Sequence, residues 1–488
     1  MPLIEKNTVR NTTLPKSFCI AHLPEPVLAP QLLQFNDRLS QDLCLDWHLR
    51  DKTWIAGLLS GNTVHEGCTP VATAYSGHQF GQFVPILGDG RAILIGEVQG
   101  ATGAWWDIQL KGSGQTPFSR RGDGRAPLGA MLREYLVSEA MHALGIRTSR
   151  SLAVVATGEH VYREEALPGA VLTRVARSHL RIGTFEYAAR FTGVEGLRQL
   201  ADYAIARHYP HIVGGNNLYH DFLTEVVRSQ AQLVAQWMSI GFIHGVMNTD
   251  NIAISGDTID YGPCAFLDDY NPDTVFSSID HQCRYAYSNQ ARVSAWNLAR
   301  FAETLLPLIH PNKGQAIALA EEAIGLFDAY YHTQWLTQMC LKLGIQTPRE
   351  EDGSLIQELL SVIHLYHMDY TLTYRQLGQC TEGIHEGCDI FKDKAQGLAW
   401  HQRWLHRLKQ DPPCSNRSQS MALSNPIFIP RNHLIEKAIH AAVHDGDLAL
   451  FSKLVSVLKN PYTNQEGCST YSQAPLPSER VTHTFCGT

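Results

Sequence analysis

Hydrophobic positions change their period about halfway along the chain. Ala92-Ile93-Leu94-Ile95-Gly96-Glu97-Val98 is a β-rich run, after which residues 100–103 turn the chain. Trp105-Trp106-Asp107-Ile108-Gln109-Leu110 follows and alternates in its later part, so the two runs predict a hairpin ending at Lys111. A Gly-, Ser- and Arg-rich loop occupies 112–127. Beyond it Leu132, Leu136, Val137, Ala140 and Leu144 recur at helical spacing, with Gly145 as a stop. Residues 151–156 and 170–175 read as further strands. The second half is mainly helical. Phe222, Val226, Leu233, Val234, Trp237 and Met238 mark a helix over 222–240 that ends at Gly241. Residues 252–254 and 258–259 predict two short strands around a Ser255-Gly256-Asp257 turn. Amphipathic helices are expected between 291 and 408, for example over 296–308 and 322–334. Residues 409–426, rich in Pro, Ser and Asn, read as a linker, and a last helix over 434–443 precedes a polar tail.

That order predicts an α+β fold of the protein-kinase-like, two-lobed kind, with a strand-rich N-terminal lobe and a larger helical C-terminal lobe. The expected division is an N-terminal extension packing on the first lobe (1–85), a nucleotide-binding lobe (86–185), a helical lobe with the catalytic loop (186–460), and a tail with Cys486 (461–488). No repeat of 20–50 residues is present.

Composition narrows the class. A chain of 488 residues with 44% hydrophobic and 18% charged residues has a core to bury and is not generally disordered. Its net charge of −7 gives no electrostatic case for nucleic acid or an anionic membrane as the main partner. No apolar run approaches the roughly 18 residues that a membrane span needs. The first residues lack the apolar stretch of a secretory signal. Eleven cysteines, an odd number without a C-x-x-C pair, predict a reducing compartment and a cytoplasmic protein.

The chemistry concentrates in Ile243-His244-Gly245-Val246-Met247-Asn248-Thr249-Asp250-Asn251 and in Asp260-Tyr261-Gly262. Protein kinases use H-R-D-x-x-x-x-N followed by D-F-G, where the first Asp orients the attacking hydroxyl and the Asn and second Asp hold metal. His244 and Asn251 keep that spacing, and Asp260 keeps the metal position. Val246 stands where the kinase Asp would be and cannot accept a proton. Asp250 is the nearest replacement base. Asn251 and Asp260 supply hard oxygen donors suited to Mg²⁺ or Mn²⁺.

Upstream, Lys111 at a strand end and Glu134 one turn into the next helix match the Lys–Glu clamp on ATP phosphates, with Glu139 as the rival partner. Gly88-Asp89-Gly90-Arg91 recurs as Gly122-Asp123-Gly124-Arg125 on the other side of the Lys111 strand. Each copy reads as a tight turn or as a phosphate cradle. Arg174, Arg177 and Arg181 are further basic candidates, and spacing does not choose among them. No G-x-S-x-G elbow, zinc signature or P-loop is present.

Longer runs carry a resemblance. Tyr75-Ser76-Gly77-His78-Gln79-Phe80-Gly81, the stretch 107–125, the motifs at 244–251 and 260–263, and Asp280-His281-Gln282 with Arg284-Tyr285 resemble the selenoprotein O (SelO/YdiU) family. The resemblance covers about residue 30 to Cys486. It implies a pseudokinase fold that binds ATP in a flipped orientation and transfers AMP to Ser, Thr or Tyr hydroxyls of proteins. Bacterial members are also implicated in UMP transfer with Mn²⁺. The implied nucleotide contacts are Gly88, Gly90, Arg91, Lys111, Asp123, Gly124, Arg174, Arg181 and Asp260. Asp250 is the implied proton acceptor, and Asn251 and Asp260 are the implied metal ligands. The alternatives are a protein kinase acting despite Val246 and a non-catalytic ATP-binding scaffold. The family's redox control pairs a C-terminal Cys with one after the D-Y-G motif; here the counterparts are Cys486 and Cys283, the latter standing where the family's D-H-Q-G-R-Y run has Gly.

Overall fold

The computed structural model describes residues 9–381 and 389–485. Its main sheet is built from β1 (Cys19–Ala21), β2 (Gln31–Phe35), β3 (Val71–Thr73), β6 (Ala92–Gln99), β7 (Trp105–Lys111), β8 (Arg150–Tyr162) and β9 (Ala166–Ala176). Between β3 and β6, β4 (Gly77–Gln79) and β5 (Gln82–Val84) form a separate hairpin. The seven strands run antiparallel in the order β1-β3-β6-β7-β9-β8-β2.

Alternation along β7 decides what faces the site. Ile108 and Leu110 enter a core with Trp47, Leu59, Val155 and Val171. Asp107, Gln109 and Lys111 therefore point to the opposite face, and the register sets Gln109 beside Arg174 of β9. That second face is covered by the Leu128–Ala143 helix, whose Leu132, Leu136 and Ala140 join Val154 and Leu172 in the larger core. Truncating a fully buried leucine such as Leu132 to Ala would cost about 2–5 kcal/mol.

The larger core continues into the helical part. The Leu218–Ile240 helix starts at Asn217, whose side chain accepts from His220 N, and stops at Gly241 with φ 72°. It feeds β10 (Phe242–Ile243), which pairs with β11 (Ala265–Phe266) and so brackets the loop 244–264. Among the described residues no helix is long and apolar enough to cross a membrane.

Several elements differ from the sequence-based expectation. Within the segment expected to pack on the first lobe as an extension, β1, β2 and β3 are strands of the main sheet itself. Residues 252–254 and 258–259 make one bridge, Ile252 to Thr258, in place of two strands. Their backbone is engaged elsewhere: Ile254 N donates to Leu180 O, and Ile252 O accepts from Ile182 N. The helix expected over 322–334 is broken between Lys313–Gly325 and Phe327–Lys342. The linker contains a short helix, Arg417–Ser424. A further helix, Ala449–Leu458, follows the last expected one and buries Phe451, Leu454 and Leu458.

Candidate active site

A cavity of about 510 Å³ opens between the sheet and the helical part, within the range of ligand sites. Its lining includes Lys111, Glu134, Arg174, Arg181, Asp250 and Asp260. Lys111 Nζ lies 2.6 Å from Glu134 Oε2 and 3.2 Å from Asp260 Oδ1. Arg174 Nη1 donates to Glu134 Oε1 at 3.3 Å and also to Asp260 Oδ1. Arg181 Nη1 donates to Asp260 Oδ2 at 2.9 Å and to the Asp250 main-chain oxygen at 2.7 Å. Asp260 has φ 61°, a left-handed conformation uncommon outside glycine, which its three cationic partners offset. Burial pushes its carboxyl up, but Arg174, Lys111 and Arg181 outweigh burial and hold it well below the usual carboxylate range.

The alternatives left open by spacing separate here. Arg174 and Arg181 line the cavity and Arg177 does not. Glu139 is turned away to Arg150, at 2.8 and 2.7 Å, and to the Ser151 amide.

The loop that follows β10 is anchored from below by His244. Its Nε2 is 2.9 Å from Ile259 O, and its ring packs against Trp237. Burial lowers the pKa of His244, so it serves as a neutral strut. Val246 faces the cavity, and its carbonyl accepts from Asn251 Nδ2 at 3.0 Å. Asp250 is 7% exposed. Its Oδ1 has no hydrogen-bond partner, and Oδ2 accepts only a long 3.5 Å contact from Gln79. Burial lifts this carboxyl to about 6 against the pull of Arg181. Gly77 permits the close approach: a Cβ there would lie 2.5 Å from Asp250 Oδ1.

The paired tetrapeptides do different things. Gly88 has φ 65°, and a Cβ on it would strike the Phe118 ring at 2.2 Å. Gly88, Asp89, Gly90 and Arg91 line the cavity, and the Asp89 carboxylate is tied to the Thr73 amide and to Gln109 Nε2, both at 3.1 Å. Asp123 and Gly124 lie in the second loop at the cavity. Asp123 pairs with Arg163 at 2.8 and 3.0 Å, and that hydrogen bonding lowers its carboxyl.

The oxygen set fits a hard divalent cation. Asp250 Oδ1 is a buried acceptor without a partner, and Asn251 and Asp260 line the same cavity. Among the described residues no cluster of three or more His, Cys, Asp or Glu forms a metal cage. Substrate phosphates and water would complete such a coordination sphere, as is usual for Mg²⁺.

Sequence reasoning missed Gln79, Arg163 and Glu186. Gln79 stood in a quoted run without a role; Arg163 and Glu186 stood in no motif. Cys283 is an exposed free thiol. Its suggested partner Cys486 lies outside the described residues.

The family model described as "Protein adenylyltransferase SelO" matches residues 6–459. "Protein nucleotidyltransferase YdiU" of Bradyrhizobium diazoefficiens is 52% identical over 480 residues, covering 98% of each chain. The protein of the same name from Brevibacillus brevis is also 52% identical over 480 residues, covering 98% of this chain and 96% of its own. A solved structure titled "ROP2 from Toxoplasma gondii: A virulence factor with a protein-kinase fold and no enzymatic activity" superposes with a TM-score of 0.25 at 12% identity. It covers 60% of this chain and 87% of its own, an overlay too loose to argue from.

Proposed function

The chain belongs to the SelO family, and from that premise we propose that it transfers AMP from ATP to Ser, Thr or Tyr hydroxyls of proteins, releasing pyrophosphate. One observation carries this reading. Three cations, Lys111, Arg174 and Arg181, converge on Asp260 inside the cavity, while the position of the kinase base is Val246.

In a flipped nucleotide the β- and γ-phosphates meet those cations. As the bond from the α-phosphorus to the bridging oxygen breaks, the departing pyrophosphate gains charge, which a preorganised cationic cluster stabilises. The acceptor oxygen forms the new bond to the α-phosphorus, and its proton passes to Asp250. A carboxyl raised to about 6 is well matched to that task near neutral pH. Arg181 fixes the loop through the Asp250 carbonyl. A bound Mg²⁺ or Mn²⁺, held by Asn251 and Asp260, would neutralise phosphate charge and polarise the reacting phosphoryl group. Phosphates in the cavity would compete for Lys111, Arg174 and Arg181, and Asp260 would then have oxygens available to hold the cation. Gly88, Gly90, Arg91, Asp123 and Gly124 complete the nucleotide cradle on this reading.

The test is incubation with ATP labelled at either the α- or the γ-phosphate. Label from the α position on protein, lost in Asp260→Ala, supports AMP transfer. Label only from the γ position identifies a kinase, and binding without either label identifies a scaffold. Labelled UTP with Mn²⁺ extends the same test to UMP transfer.

A further inference from the structure

Beyond Gly77 and Gln79, which meet Asp250, other members of the run Tyr75-Ser76-Gly77-His78-Gln79-Phe80-Gly81, together with Tyr285, converge on the loop that carries Asp250 and Asn251. Along the β4–β5 hairpin, His78 N donates to Thr249 Oγ1 at 2.7 Å and Phe80 N donates to Asn248 Oδ1 at 2.9 Å. Tyr285 OH donates to the same Asn248 oxygen. Behind them sits Glu186 of the Ile182–Phe191 helix, 6% exposed. One of its oxygens accepts from Thr249 Oγ1 at 2.6 Å, and the other meets His78 Nδ1. A buried carboxylate with both oxygens engaged thus bonds to the loop through one and to the hairpin through the other.

We propose that Glu186, with His78 and Thr249, is a positioning clamp that fixes the Asn248–Asn251 loop against the β4–β5 hairpin for nucleotidyl transfer. The geometry sets Thr249 as the joint. Its hydroxyl accepts from the hairpin backbone and donates to Glu186, so a single side chain links three elements. Neither Thr249 nor Glu186 lines the cavity, so the clamp acts through Asp250 and Asn251 and not by contact with nucleotide. Positional errors of this kind act on turnover more than on binding, since a displacement of about 1 Å can cost about 100-fold in rate. The proposal rests on the reading that Asp250 and Asn251 serve the transfer reaction.

Thr249→Val keeps the side-chain shape and removes both hydrogen bonds; Thr249→Ser keeps them. The measurements are kcat and KM for ATP in AMP transfer to protein, with nucleotide affinity by calorimetry. Thr249→Val is expected to lower kcat roughly 10- to 100-fold with KM and affinity within threefold, and Thr249→Ser to restore kcat to within threefold of the native enzyme. Native kcat in Thr249→Val, a change confined to KM, or no rescue by serine overturns the clamp. Should Thr249→Val fail to fold, Glu186→Met, which keeps the side-chain length and removes both acceptor oxygens, is judged by the same criterion of kcat loss without KM change. Asp250→Asn measured alongside separates the two ideas. Full activity there removes the proton-acceptor role, whereas an inactive Asp250→Asn beside a fully active Thr249→Val removes the clamp alone.

Discussion

Lys111 Nζ lies 2.6 Å from Glu134 Oε2, and Glu134 in turn is 3.3 Å from Arg174 Nη1. All three side chains are buried. Removing one member of a buried pair commonly costs about 3–5 kcal/mol because the other charge is stranded. Here Glu134 retains Arg174 when Lys111 is lost. Lys111→Met should therefore destabilise by less, about 1–2 kcal/mol, while weakening ATP binding at least tenfold. Chemical denaturation and calorimetry check the two numbers. A loss of stability as large as that of Glu134→Leu, which leaves Lys111 and Arg174 with Asp260 as their shared carboxylate, would contradict the sharing of Glu134.

Arg174 and Arg177 differ by three positions and should differ sharply in effect. Arg174 touches Glu134, Asp260 and Gln109, whereas the backbone carbonyl of Arg177 accepts from Arg207 Nε at 2.6 Å. Arg174→Ala is expected to abolish AMP transfer, and Arg177→Ala to leave it within about threefold, since a point charge outside the cavity is largely screened. Equal losses in the two variants would show that the cavity geometry does not select between them.

Much of this was legible in the chain because its signals are local. The β6–β7 hairpin and the Leu128–Ala143 helix each span enough residues to display a period, and Lys111 is fixed by ending one of them. Glu134 was the expected partner of Lys111, but Glu139 stayed a rival, because which helix face meets the cavity depends on how the helix lies on the sheet. β1, β3, β4 and β5 are three residues long and show barely one repeat. The clamp of His78, Glu186 and Thr249 was invisible for a different reason: its members come from three distant segments, and none belongs to a motif that names a partner.

Asp250→Asn should lower AMP transfer about 100- to 10,000-fold, the usual contribution of a positioned base, with ATP affinity within a few fold. Val246→Asp should not rescue it. Val246 is 6% exposed beside the Asn251 amide, so a carboxylate there is buried without the partners a kinase supplies. Label transfer from α-phosphate-labelled ATP measures both. Restored transfer in the double variant would mean that the acceptor hydroxyl approaches from the kinase side.

Gly77→Ala should mimic part of that loss without touching the carboxylate. The added methyl would lie 2.5 Å from Asp250 Oδ1 and 2.9 Å from its Cβ, so Asp250 or the hairpin must move. A drop in kcat of about 100-fold with a melting temperature within a few degrees of the native protein is the expected result, by the same positional argument. Native kcat would show that the contact relaxes without consequence for the reaction.

Far from the cavity, Lys342 makes a prediction about stability. It is 4% exposed, with Nζ 4.5 Å from the Tyr374 ring centre and 5.7 Å from that of Tyr370. Burial pulls its pKa down from 10.5 to about 7. The folded state therefore binds fewer protons than the unfolded state between those values, and stability rises with pH across that window. The contribution is fully present above the unfolded pKa, is lost as pH falls toward 7, and changes no further below it. At about 1.36 kcal/mol per unit, the charged form at neutral pH costs a few kcal/mol, partly offset by roughly 1–2 kcal/mol of cation–π attraction. Lys342→Met, which keeps length and removes the charge, should therefore stabilise the protein at pH 7 by about 1–3 kcal/mol, with the advantage shrinking toward pH 10. Urea denaturation at pH 7, 8 and 9 measures both. A less stable variant with an unchanged pH slope would mean that the ammonium is better solvated or better paired than its burial among the tyrosine rings allows.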